Sequence, residues 1–493
     1  GVNASINSVN IGKGANSVAG NTVLGELALD AAVTGGNNTA VGKNALTLNT
    51  SGQRNTALGA NSSDANTTGS YNTSLGYNSL STNTTASFNT AVGNNALLVN
   101  TTGATNVAVG AYALDANTTA SDNTAIGSAA LGANTTGDNN VAVGSQSLDA
   151  NTTGIQNIAI GRHALGANTT ANYNVGVGHE ALGVNTTGAS NVAVGRLALV
   201  GNTTGSANTG LGSNALGSNT TASNNVAVGN QCLAANTTGS SLTAVGANAL
   251  DANTTGTAAC AFGKDALGAH TTGDKNSAFG SFAAAATTTG VKNSAFGAYS
   301  LNANTTGDSN TAIGRSSLAS NISANDNTAV GNAALAANTT GTNNVAVGAN
   351  ALDANTTASN NTAVGRQSLT SNTTGAGNTA LGLNSLQLNT TAANNTALGQ
   401  SALQLNTTGA SNVAVGALAL DANTTASYNT ACGDAALSEN TTGASNAAVG
   451  HAALFNNSTG ADNVAVGRGA LYNNTTASNN TALGRLALFA NTT

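Results

Sequence analysis

Four histidines, three cysteines and thirty charged side chains are all the acid–base and nucleophilic chemistry that 493 residues offer. His163, His179, His270 and His451 are scattered, and only His163 and His179 lie about one repeat apart. With Glu180 they could form a surface zinc set, but so few ligands on a solvent face seldom hold the ion, so isolated exposed histidines are the preferred reading. Cys232, Cys260 and Cys432 occupy otherwise constant positions, and the closest two are separated by about two coil spacings, beyond disulfide reach. They read as small buried apolar residues. No glycine-rich phosphate loop opens a helix, and no Gly-Gly-x-Gly-x-Asp calcium repeat occurs. No catalytic residue, cofactor or metal site is assigned, and the chain does not read as an enzyme.

The most frequent chemistry-bearing motif is Asn-x-Thr/Ser. Twenty-five copies of Asn-Thr-Thr or a close variant recur, including Asn49, Asn66, Asn100, Asn117 and Asn151, with His270 and Thr287 as exceptions to the Asn. Each is formally an N-glycosylation acceptor. The alternative, and the favoured one, is an internal asparagine ladder whose amides hydrogen-bond along the molecule. Mass spectrometry of the intact chain separates the two. The adjacent threonines raise a rival, ice binding, weakened because neighbouring residues of a strand point to opposite faces.

These residues are positioned by a repeat. From Asn21 onward a 17-residue unit is written 28 times without a break, with consensus Asn-[Thr/Val]-Ala-[Val/Leu/Ile]-Gly-x-x-[Ala/Ser]-Leu-x-x-Asn-Thr-Thr-[Gly/Ala]-x-x, counted from Asn as position 1. A fixed period near 20 residues signals a solenoid in which each repeat is one coil. Neighbouring strands about 4.8 Å apart would make a rod on the order of 130 Å long. The composition agrees: 6% charged and 3% aromatic residues, 61 Gly and no Pro, Trp or Met suit small, turn-rich coils. A net charge of −6, evenly spread, suits neither nucleic acid nor an anionic membrane surface. No apolar run is long enough to span a bilayer.

Apart from Lys13, every charged residue falls at position 6, 7, 10, 11, 16 or 17, so those positions face water. Position 4 (Val, Leu, Ile, Phe or Cys), position 8 (Ala, Ser or Cys) and position 9 (Leu, as at Leu46, Leu97, Leu114 and Leu148) read as the core. The strand at positions 2 to 4 has no polar face, which suggests that one face lines the coil and the other meets another subunit. Glycine at position 5 never varies, as at Gly42, Gly59, Gly93, Gly110, Gly144 and Gly195, suiting a turn with positive φ or a close backbone approach. Phe262, Phe279 and Phe296 at position 4, beside Ala284 in place of Leu, suggest a volume exchange within the core.

Residues 1–20 depart from the period: from Asn7 to Asn21 a 14-residue unit reads as one shorter coil, ahead of a continuous array over 21–493. Its Asn-Ser-Val-Asn-Ile-Gly-Lys-Gly-Ala stretch resembles the head repeats of trimeric autotransporter adhesins, and the 17-residue unit is similar to repeats of bacterial and phage tail-fibre-like proteins. The resemblance implies a parallel β-roll, three chains per particle and a place outside the cell. The chain begins at Gly1 and ends at position 14 of a repeat, so a signal peptide and further repeats are expected beyond it.

The expectation is an all-β parallel β-solenoid of about 28 coils, elongated and homotrimeric. Its expected role is the rigid shaft of an extracellular or cell-surface fibre, adhesin-like or a virion fibre, with itself as partner in a trimer or an end-to-end filament. Nucleic acid, membrane insertion and cofactors are not expected. Ice binding or a heavily glycosylated surface coat is the alternative.

Overall fold

A computed structural model describes residues 4–492. The chain divides into two compact units, Gly1–Thr243 and Ala244–Thr493. In both, a strand of three or four residues recurs every 17 residues and pairs in parallel with its equivalent one repeat on. The fold is an all-β parallel solenoid, with a single 3-10 turn at Ala15–Ser17 as its only helix among the described residues.

In the first unit the array is preceded by an antiparallel meander. Strand β1 (Ala4–Ile6) pairs antiparallel with β2 (Val9–Gly12), and β2 pairs antiparallel with β3 (Thr22–Gly25), where the parallel stack begins. Residues 4–12 are therefore a hairpin whose second strand pairs with the first strand of the array, joined to it through the 3-10 turn at Ala15–Ser17, where one shorter coil was expected. Asn7 and Ser8 both take positive φ and supply the two-residue turn.

Hydrogen bonds tie each coil to the next around its whole circumference. In the coil starting at Asn38, the N–H groups of Thr39, Leu46, Leu48 and Thr50 donate forward to Asn55, Ser62, Asp64 and Thr67. Those of Gly42, Asn44 and Arg54 donate backward to Leu24, Glu26 and Gly36. Alternation of this kind needs left-handed backbone, and positions 7, 9 and 17 take it in coil after coil: Asn44, Leu46 and Arg54 have φ of 58°, 51° and 59°. For residues bearing a Cβ this costs about 1–2 kcal/mol each. At position 9 burial of Leu offsets it, at about 1.5–3 kcal/mol per side chain.

The interior is narrower than the sequence suggests. In each three-residue strand the middle residue is buried and both neighbours point outward, so position 3, almost always Ala, lines the coil. Positions 8 and 9 fill the remainder: Ala45, Leu46, Ala96, Leu97, Leu114 and Leu148 are all fully buried. Position 4 is not core. Leu58, Ile126, Phe296 and Leu381 are 36% or more exposed. The physical reason is period two: with the small residue facing a coil too tight for a larger one, Val and Leu are turned out. Phe262, Phe279 and Phe296 accordingly form an external stack, centroids 4.8 Å apart, and exchange no volume with the buried Ala284.

One substitution inside is compensated by hydrogen bonding. Where Ser63 replaces the position-9 Leu, the facing strand carries Ser74 in place of Ala, and Ser62, Ser63, Ser74 and Ser79 are all buried. Ser74 Oγ lies 2.6 Å from Ser62 Oγ and 2.8 Å from Ser63 Oγ, so hydroxyls occupy space that Leu fills elsewhere and satisfy one another.

Position 5 combines positive φ with a close approach to the next coil. Gly110 has φ +139°, and a Cβ there would lie 2.3 Å from the carbonyl oxygen of Gly127 in the next coil. The position-15 glycines lie outside this left-handed region, consistent with Ala replacing Gly there. Gly110→Ala is therefore expected to destabilise its own and the adjacent coils by at least about 2 kcal/mol. Amide hydrogen exchange over residues 89–140 should accelerate, with distant coils unchanged.

Candidate functional site

The residues that set this molecule apart are the buried amides. Asn49, Asn66, Asn100, Asn117 and Asn151 are all fully buried. Asn49 opens the ladder and its Nδ2 donates once, to the Gly52 carbonyl, whereas the Nδ2 of each of the other four donates twice. Asn66 gives one hydrogen bond to Asn49 Oδ1 (2.9 Å) and one to the carbonyl of Gly69 (3.0 Å); Asn117 gives the same pair to Asn100 (2.8 Å) and Ala120 (3.0 Å). Each Oδ1 then accepts from the following coil, as Asn117 does from Asn134 at 3.1 Å. The ladder read from the Asn-Thr-Thr motif is present, and its amides are turned inward where no glycan fits.

A second ladder runs parallel to it, at position 1. Asn55 is buried, its backbone N–H donates to Asn38 Oδ1 (2.9 Å), and its Nδ2 donates to the carbonyl of Gly69 (2.9 Å). The position-15 carbonyl thus receives two amide hydrogens, from Asn55 and Asn66, using both lone pairs. The near-constancy of Asn at position 1, broken only by Leu242 and Ala259, marked the repeat start but gave no sign of burial. The signal available was that no charged residue ever occupies it.

The threonines divide by position. At position 13 the hydroxyl donates to the next coil's carbonyl, as Thr67 to Thr84 (2.9 Å) and Thr407 to Thr424 (2.9 Å). At position 14 Thr68, Thr102 and Thr119 are exposed. One rank of threonine per coil faces solvent.

The histidines differ as much as their positions do. His179 Nε2 lies 3.7 Å from Glu180 Oε1 and His451 Nε2 lies 3.6 Å from Asp434 Oδ2, both at the surface. His163 and Glu180 border an open groove of about 420 Å³ with Asp149, Val184 and Val200, formed because Gly166 and Gly183 lack side chains. Among the described residues no three His, Cys, Asp or Glu side chains converge in a metal-binding group.

His270 is different: it replaces the ladder Asn and is fully buried. Its Nδ1 is 2.9 Å from Asn253 Oδ1 and its Nε2 is 3.1 Å from Asn276 Nδ2, so the ring bridges the two ladders. Asn253 Nδ2 already faces the Gly256 carbonyl, which leaves Oδ1 for the ring and fixes the neutral tautomer with hydrogen on Nδ1. Burial lowers its pKa from 6.5 to about 4, against smaller raising effects of Asp274 and a backbone hydrogen bond at Gly273. Ala259 opens the room for the ring by removing the position-1 amide of the same coil.

The cysteines follow the strand geometry. Cys232 at position 8 is buried, but Cys260 at position 2 is half-buried and Cys432 at position 4 is exposed. Two of the three expected to be buried therefore lie outward, on the same face as the apolar position-4 side chains.

On the surface, like residues sit upon like. Asn44, Asn61 and Asn78 form an external amide ladder at 3.0 Å steps, Gln404 donates to Gln387 (2.9 Å), and Tyr71 stacks on Phe88 (4.9 Å). At position 10 an Asp leans forward over the next coil and meets a hydroxyl or nothing. Asp64 accepts from Ser81 (2.6 Å), Asp353 from Thr370 (2.8 Å) and Asp421 from Ser438 (2.6 Å), while Gly132, Gly166 and Gly268 follow Asp115, Asp149 and Asp251. Burial pushes the carboxyls of Asp115, Asp149, Asp251 and Asp421 up from the ordinary value. No helix among the described residues is long and apolar enough to cross a membrane. No protein-family model matches the chain, and no curated protein matches it.

Two outcomes follow from the amides and the ring. Asn117→Ala strands Asn100 Oδ1 and Asn134 Nδ2 in a dry interior and should cost about 2–4 kcal/mol, read as faster amide exchange confined to coils near residue 117. For His270 the folded pKa lies below the unfolded one, so the unfolded chain takes up the proton first as pH falls. The stability is complete above pH 6.5 and is lost between 6.5 and about 4, a change of about 3 kcal/mol. Amide exchange over residues 253–290 should quicken across that window, and His270→Asn should abolish the effect.

Proposed function

We propose that this chain is a non-catalytic structural protein, the rigid shaft of an extracellular fibre or filament that associates with further copies of itself, as a homotrimer or end to end. The observation that carries the reading is the outward face of the strands. Within each unit it presents an unbroken column of position-4 side chains, Val, Leu, Ile and Phe with one Cys, half-buried to exposed. Contiguous apolar surface of this kind marks an interaction site. A second copy fits it because only another solenoid presents side chains at the same step of about 4.8 Å along the stack.

The interior supports a mechanical role. Coils joined by backbone and side-chain hydrogen bonds on every side give local openings little freedom, which resists bending and proteolysis. Absence of Met and Pro removes an oxidation target and a strand breaker. The likeness to adhesin heads and tail-fibre-like repeats supports a place at a cell or virion surface.

Leu381→Lys with Leu398→Lys puts two charges on the strand face while leaving the interior untouched. Sedimentation should show self-associated wild-type protein and a smaller species for the double variant, with the same sheet circular dichroism. Electron microscopy of native material should show threads or fixed-length particles. Wild-type protein that stays monomeric at all concentrations would refute the reading.

A further inference from the structure

Three coils in the second unit carry a basic side chain at position 6 in unbroken succession: His451, Arg468 and Arg485. Arg468 and Arg485 are the only arginines in the chain one coil apart. Beside them, position 10 carries Phe455, Tyr472 and Phe489, stacked with centroids 5.1 Å apart and interplanar angles of 5° and 18°. Gly469 stands at position 7, where other coils place a side chain, and the gap opens a hollow of about 180 Å³ between the cations and the rings.

The charge on its lining is positive, carried by Arg468 and Arg485 beside His451. No Asp or Glu borders the hollow. Asp434, one coil earlier, pairs with His451, while Arg468 and Arg485 form no ion pair among the described residues. In-register stacking rewards like neutral residues, but two like charges about 5 Å apart repel by about 1 kcal/mol even in water. A bound anion relieves that repulsion, and guanidinium groups hold an oxyanion through paired, charge-assisted hydrogen bonds. The rings add to this through their electropositive edges, because both faces of Tyr472 are covered by Phe455 and Phe489. The covered faces of Tyr472, the central ring, also leave a nucleobase no room to intercalate between the rings as it does on a single-strand stacking platform.

We infer that this hollow binds an oxyanion, a carboxylate or sulfate group, carried on an acidic polysaccharide. A polymer is the fitting carrier because successive coils offer successive cations along one line, so neighbouring acid groups of one chain engage Arg468 and Arg485 together. The row Arg162, His179 and Arg196 in the first unit has the same spacing, but its two arginines lie two coils apart and Glu180 pairs with the histidine between them. It is the internal control. The site does not depend on the self-association proposed above.

The probe is a fluorescently labelled polyuronate oligosaccharide titrated with the full chain at low salt, with inorganic sulfate as competitor. Saturable binding is expected, weakened about tenfold or more by Arg468→Gln with Arg485→Gln. The control, Arg162→Gln with Arg196→Gln, should bind as wild type. All these side chains are exposed or half-buried, and circular dichroism checks that each variant keeps its sheet. Displacement by sulfate at matched charge would keep the oxyanion site and assign it to free ions. Absence of saturable binding, equal loss in both double variants, or tighter binding of single-stranded DNA of equal charge would overturn the inference.

Discussion

A coil of 17 residues cannot satisfy its own peptide groups. Most of its N–H and C=O bonds run along the stacking direction, so each needs a neighbouring coil at the same register. The forward donors at Thr39, Leu46, Leu48 and Thr50 and the backward donors at Gly42, Asn44 and Arg54 are two halves of that dependence. Side chains extend it inward. Each buried asparagine of the two ladders gives and takes a hydrogen bond across the coil boundary, and an amide stranded there would cost more than the bond itself is worth. Slipping one coil by a single residue would break the backbone bonds and both ladders together.

Narrowness of the interior follows from the same requirement. A circuit this short encloses little beyond one Leu, small side chains at positions 3 and 8, and two amides. Close packing leaves no slack, which explains why Ser63 requires Ser74 opposite it and why His270 requires Ala259 beside it. Excess apolar bulk has to go outside, and it goes to position 4. The exposed apolar column is thus the complement of the small core.

Much of this could be read from residues alone. The unbroken spacing gave the coil length, the confinement of charge to six positions gave the solvent side, and invariant Gly at position 5 and Leu at position 9 gave a corner and a core layer. Asparagine at position 12 read correctly as an internal ladder because the alternative needed exposed amides. What resisted was orientation within a three-residue strand, since Thr-Ala-Val offers no alternation long enough to tell which face is inside, and bulk pointed to the wrong one. Left-handed Leu was hidden because its cost is offset by side-chain burial and coil-to-coil bonding, which no local preference reveals. The antiparallel hairpin at β1 and β2 was hidden by a motif so like the array that parallel stacking was the natural extrapolation.

Strict vertical register also makes the surface a written sequence, in which each residue is judged by the one a coil away. Amides follow amides, rings follow rings, and an Asp is followed by a hydroxyl or by glycine. Since contacts reach only the adjoining coils, removing or duplicating one whole unit keeps both ladders in register and creates a single new junction, whereas any other change of length interrupts the ladders at the coil that carries it. A whole-coil change in the number of repeats is therefore the change of length that this geometry tolerates best, provided that the two coils it brings together carry compatible residues.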